Sequence, residues 1–84
     1  MGTKRFAICD KDQEYLRMLQ AYLLKRNLAD FTVLIFDTVN KALEANKEGP
    51  FEILLVGEDI YDTNVAKIDA AKIYKYIKSV ISDS

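Results

Sequence analysis

Three short apolar runs set the rhythm of the first two-thirds of the chain: Arg5-Phe6-Ala7-Ile8-Cys9, Phe31-Thr32-Val33-Leu34-Ile35-Phe36 and Phe51-Glu52-Ile53-Leu54-Leu55-Val56. They are rich in β-branched and aromatic residues and show no useful alternation. That is the mark of strands covered on both faces, as in parallel sheets. They predict strands at residues 4–9, 31–36 and 51–56. Between the first two, the period changes to that of a helix. Tyr15, Leu16, Leu19, Tyr22 and Leu23 keep one face over residues 13–27, with Met18 and Leu24 widening the stripe. Asp12 stands where an N-cap belongs. A second helix is predicted at residues 39–47, capped by Asp37 or Thr38, with Val39, Ala42 and Leu43 inward. Glu48-Gly49-Pro50 ends it, since glycine commonly follows a helix and proline cannot continue one.

After Gly57 the pattern changes. Glu58, Asp59, Ile60, Tyr61 and Asp62 form an acidic loop, followed by the capping residues Thr63 and Asn64. Residues 65–81 contain no Gly or Pro, and Ala66, Ala70, Ile73, Ile77 and Val80 or Ile81 recur at steps of 4 and 3. This predicts one long C-terminal helix. Val65, Ile68, Ala71, Tyr74 and Tyr76 spread apolar surface around its other faces, more than one sheet contact requires. The expected architecture is therefore a single α/β domain over residues 1–84: three parallel strands, two crossover helices and a terminal helix.

Composition adds limits rather than direction. Eighty-four residues suit one small domain, and half of them are hydrophobic. A net charge of −1 gives no general pull toward nucleic acid or a membrane surface. Lys67, Lys72, Lys75 and Lys78 with Tyr74 and Tyr76 read as a solvated helix face, diluted by Asp62, Asp69 and Asp83. No apolar run reaches the roughly 18 residues of a membrane helix, and no signal core follows Lys4 and Arg5. A cytoplasmic protein is expected. The lone Cys9 reads as a buried small hydrophobe, because it has no partner for a disulfide and no histidine to activate it.

The candidate chemistry lies at the carboxyl ends of the strands, where open α/β sheets bind their ligands. The first strand ends in Asp10, with Asp12 two residues on, and the third ends in Gly57 followed by Glu58 and Asp59. Asp10, Asp12, Glu58 and Asp59 form the strongest candidate for a divalent cation, since Mg²⁺ accepts a few carboxylates and keeps its waters. The plainer account is helix caps and solvated loop charges, with Lys11 placing a positive charge among them. No glycine-rich phosphate loop is present.

With these elements in place, the stretch Lys4-Arg5-Phe6-Ala7-Ile8-Cys9-Asp10-Lys11-Asp12, the helix at 13–27 and the run Phe51–Val56 resemble the front half of a response-regulator receiver domain, over about residues 4–60. The resemblance implies a three-layer, flavodoxin-like fold, here truncated, with a parallel sheet in the order 2-1-3. In that family an acidic pair after the first strand holds Mg²⁺, and an aspartate ending the third strand accepts a phosphoryl group. Asp10 matches the first acid, Lys11 replaces the second, and Gly57 falls on the phosphoacceptor. The two later strands, with their hydroxyl residue and lysine, are expected to have no counterpart. The pattern is similar to the atypical receivers, or pseudo-receivers, found at the N-terminus of MinD-like ATPases of Flp pilus assembly, which serve in dimerisation and localisation.

The degenerate site and the resemblance together imply a non-enzymatic, non-phosphorylatable interaction module in bacterial signalling or in pilus or secretion assembly. The alternative is a Mg²⁺-dependent phosphoacceptor using the acidic cluster. A homodimer is expected, because the third strand would leave an open edge. Ile73, Tyr74, Ile77 and Ile81 are its expected contact residues, alongside a protein partner and with no nucleic acid and no membrane insertion.

Overall fold

The computed structural model describes residues 4–26 and 30–77. Its elements run β1 (Lys4–Cys9), α1 (Gln13–Lys25), β2 (Phe31–Phe36), α2 (Val39–Glu48), β3 (Ile53–Gly57) and β4 (Lys72–Tyr76). Two short 3-10 turns, Glu58–Ile60 and Thr63–Lys67, connect β3 to β4. All strand pairings are parallel, in the order β2-β1-β3-β4. This α/β arrangement is compatible with a flavodoxin-like fold.

The long C-terminal helix expected over residues 65–81 is not formed. Its first turn is the second 3-10 turn, residues 72–76 are a strand, and residues 78–81 lie outside the described residues. The sheet order accordingly gains a fourth member beside β3, and the open edge expected there is covered. The physical reason is the edge that β3 offers, to which the composition of the segment is suited. Lys72-Ile73-Tyr74-Lys75-Tyr76 pairs β-branched and aromatic residues, which suit a pleated, half-buried surface better than a helix. The steps of 4 and 3 arose from residues of two different elements.

Both faces of the sheet are covered, which makes three layers. Ile8, Val33, Ile35 and Leu55 pack with Leu16, Leu19 and Leu23 of α1. Ala7, Cys9, Leu54 and Val56 pack on the other side with Val39 and Ala42 of α2 and with Val65 and Ile68 of the β3–β4 connection. Continuous apolar strands are thereby explained: odd and even positions serve different cores. On α1, Tyr22 turns outward with its neighbours Met18 and Leu24, and the Arg26 guanidinium lies 4.5 Å from its ring centroid. The inward stripe is thus narrower than the pattern suggested.

Local signals fix the helix starts. The Asp12 side chain accepts from the Tyr15 N–H at 3.1 Å, and Thr38, rather than Asp37, accepts from the Lys41 N–H at 3.1 Å. α1 ends at Lys25 with Arg26 as its C-cap, and residue 27 lies outside the described residues. Gly49 ends α2 for a reason other than the usual left-handed turn. Its φ of −167° is ordinary extended backbone. A Cβ there would lie 2.1 Å from Nη1 of Arg5, whose guanidinium donates to the carbonyls of Ala45 and Gly49 and lies over the Phe51 ring. Glycine makes room for a cation that satisfies the orphan carbonyls of the helix end.

Candidate functional site

Asp10, Gly57 and Tyr76 sit at one level on three adjacent strands. Register pairs Cys9 with Val56 and Gly57 with Tyr76, so the residue after Cys9 comes level with Gly57. Alternation then brings all three to the α1 side of the sheet. β1 and β4 are two strand spacings apart, about 10 Å. The Asp10 and Tyr76 side chains close that gap over the middle strand, where the Tyr76 hydroxyl donates to Asp10 Oδ2. Asp10 is 1% exposed, and its other oxygen accepts from the Asp12 N–H at 2.9 Å.

Gly57 is the floor under this bridge. A Cβ on it would lie 2.8 Å from Asp10 Oδ2 and 3.4 Å from the Tyr76 hydroxyl oxygen. Its backbone is extended, at φ −66° and ψ 144°, so no turn requires glycine here. It belongs to β3 rather than leading out of the sheet. The absent side chain is what allows the acid that follows β1 and a phenol from β4 to meet.

Burial holds the protons of Tyr76 in the corner and of Cys9 on the opposite face of the sheet. Burial, and then the hydrogen bond to Asp10, push the Tyr76 phenol well above its ordinary value of 10.0. Burial first, then the charge of Asp10, push the Cys9 thiol from 9.0 up to about 12. A thiol held protonated in this way is a poor nucleophile. The Tyr15 ring lies 6.1 Å from that of Tyr76 at 35°, covering the corner from α1.

Of the remaining candidate residues, Asp12 touches this corner through its backbone N–H, and the others are placed apart from it. Lys11 Nζ lies 3.7 Å from Asp59 Oδ2, an exposed pair. Asp12 is engaged as the α1 cap, and Glu58 is exposed on the first 3-10 turn. Asp59 lines a separate surface groove of about 400 Å³ with Asp37, Thr38, Asp62 and Asn64, to which Asp10 does not contribute. Among the described residues, no group of three or more His, Cys, Asp or Glu is placed to hold a metal ion. Asp10, Asp12, Glu58 and Asp59 are therefore not brought together as a cation site. Nearby, Asp37 ties the starts of the helices together, with Lys41 Nζ at 2.9 Å and Gln13 Nε2 donating at 2.9 Å. The hydrogen bond to Lys41 is the main cause holding its carboxyl below the usual range.

Of the expected contact residues, Ile73 and Tyr74 lie on β4, where alternation sends them to opposite faces. Ile73 packs against the α2-side core, while Tyr74 is 52% and Ile77 67% exposed; Ile81 lies outside the described residues. Tyr76 is the residue that sequence reasoning missed, because it was assigned to a helix. The available signal was the glycine itself: a bare position at the end of a central strand implies that a side chain passes over it. Among the described residues, no helix is long and apolar enough to cross a membrane. Comparison with protein-family models, with curated proteins and with solved structures finds no match to this chain.

Proposed function

We propose that this chain is a receiver-like interaction module that works by self-association and by docking a protein partner, in bacterial signalling or in pilus or secretion assembly in the cytoplasm, without accepting a phosphoryl group. The observation that carries this reading is the closed corner. The position that the resemblance gives to a phosphoacceptor is Gly57, and the space above it is filled by the hydrogen bond from Tyr76 to Asp10. Acyl-phosphate chemistry needs preorganised positive groups around the transferred oxygens. Here the nearest acid is buried against a phenol, and Lys11 is turned to Asp59. The family's fourth-strand hydroxyl would correspond to the end of β4, where Tyr76 stands and is engaged internally.

The test uses the intact chain, Mg²⁺ and a small acyl phosphate, read by intact mass. The expected mass is unchanged. A gain of one phosphate group that disappears in Asp59→Asn would overturn the reading in favour of an acidic-edge phosphoacceptor.

A further inference from the structure

β4 is an edge of the sheet, and no described strand pairs with its outer side. It also leaves two large apolar side chains in solvent, Tyr74 and, just past its end, Ile77. The opposite edge differs: along β2 only Thr32 is exposed. The direction of the free backbone groups on β4 follows from one bond. The Lys72 N–H donates to the Glu52 carbonyl at 3.1 Å, so Lys72, Tyr74 and Tyr76 turn their backbone groups toward β3. Ile73 and Lys75 turn theirs outward.

We propose that β4 pairs antiparallel with β4 of a second copy, about a two-fold axis through Tyr74, giving one continuous sheet across both copies. This rests on the self-association reading above and adds its surface and register. In this register Ile73 lies opposite the partner's Lys75, and Lys75 opposite the partner's Ile73. Both are hydrogen-bonded pairs, so the outward N–H and C=O groups of these residues are all satisfied. Tyr74 meets the partner's Tyr74 in the central non-hydrogen-bonded pair, where Cα atoms approach to about 4.5 Å. Lys72 lies opposite the partner's Tyr76.

Lysines on an edge strand ordinarily keep edges apart. Here no lysine faces a lysine, whereas moving the axis to Lys75 would set like charges directly opposite, a destabilising pair. The charge pattern of the strand thus suits a copy of itself in the Tyr74 register. Tyr76, anchored on Asp10, holds the end of the edge in place. A strand-to-strand contact of this length is small, so the dimer is expected in the weak, micromolar class.

Sedimentation equilibrium across a concentration series, with Tyr74→Lys and Tyr74→Cys, tests this. Tyr74 is exposed, so both variants should keep the wild-type circular dichroism. Tyr74→Lys is expected to weaken dimerisation about tenfold or more by opposing two charges at the axis. Tyr74→Cys is expected to form a disulfide between copies under mild oxidation, since the pair distance lies within disulfide reach. Tyr22→Cys, exposed on α1, should not, and Cys9 is buried. Should Tyr74→Lys fail to fold, the cross-link alone decides. A dimer that tolerates Tyr74→Lys and gives no Tyr74→Cys cross-link overturns this register while leaving self-association standing. A chain that stays monomeric at millimolar concentration overturns both and leaves the edge to a strand of another protein.

Discussion

At the scale of single residues, the corner of Asp10, Gly57 and Tyr76 makes sharp demands. Adding one methyl group at Gly57 puts a Cβ 2.8 Å from a buried carboxylate oxygen that is already hydrogen-bonded. Gly57→Ala is expected to cost about 1–3 kcal/mol by overpacking, seen as a lower urea midpoint. Tyr76→Phe keeps the ring and removes the hydrogen bond to the buried Asp10 carboxylate. It should cost about 1–3 kcal/mol in the same measurement. Tyr76 in this corner and Cys9 on the other face of the sheet together dictate an alkaline response. Tyr76 and Cys9 both hold their protons more tightly in the native chain than in the unfolded one. Between the ordinary thiol value of 9.0 and the native value of about 12, the unfolded state has lost protons that the native state retains. The contribution of these two groups is therefore full below about pH 9 and falls as pH rises from there. Denaturation midpoints at rising pH measure the fall, and Cys9→Ala should flatten part of it.

At the scale of elements, the region before Gly57 was legible and the region after it was not. The three apolar runs and the cap at Asp12 are local signals, and the strands and first helix lie where those signals place them within a residue or two. The second helix starts at Val39 as its pattern predicts, although Gly49 after its end is extended rather than left-handed and lies against the Arg5 guanidinium. Beyond Gly57, a segment free of glycine and proline allowed a helix and a strand alike, and the apolar spacing favoured the wrong one. What decides it is tertiary: β3 offers an edge, and Ile73 and Tyr76 can each reach a different core from a strand. The candidate site was half legible for the same reason. Asp10 and Gly57 belong to the readable part, whereas Tyr76 enters only through a pairing between distant residues. The connection between β3 and β4 is also more than a tether. Val65 and Ile68 are buried against the α2-side core although no regular helix carries them. Ile68→Ala is expected to cost about 2–5 kcal/mol, as for a core position, and urea denaturation would measure it. A loop without a structural role would show almost no change.

At the scale of the whole molecule, the two sheet edges are unequal. β2 is quiet, and β4 presents lysines, an exposed tyrosine and backbone groups that no described strand pairs with. If copies join through β4, four lysines gather along the seam without facing one another, and their mutual repulsion is screened by salt. The dimer should therefore tighten as ionic strength rises, which sedimentation at low and high salt would show. An acidic partner strand would respond in the opposite sense.

The bond from Tyr76 to Asp10 joins residues 66 positions apart. During synthesis, Asp10 leaves the ribosome long before its phenol partner is made. Docking of β4 adds the phenol to the hydrogen bonds that hold this buried carboxylate. The corner thus ties the first described strand to β4, and the carboxylate reaches its native surroundings together with the strand that supplies its phenol.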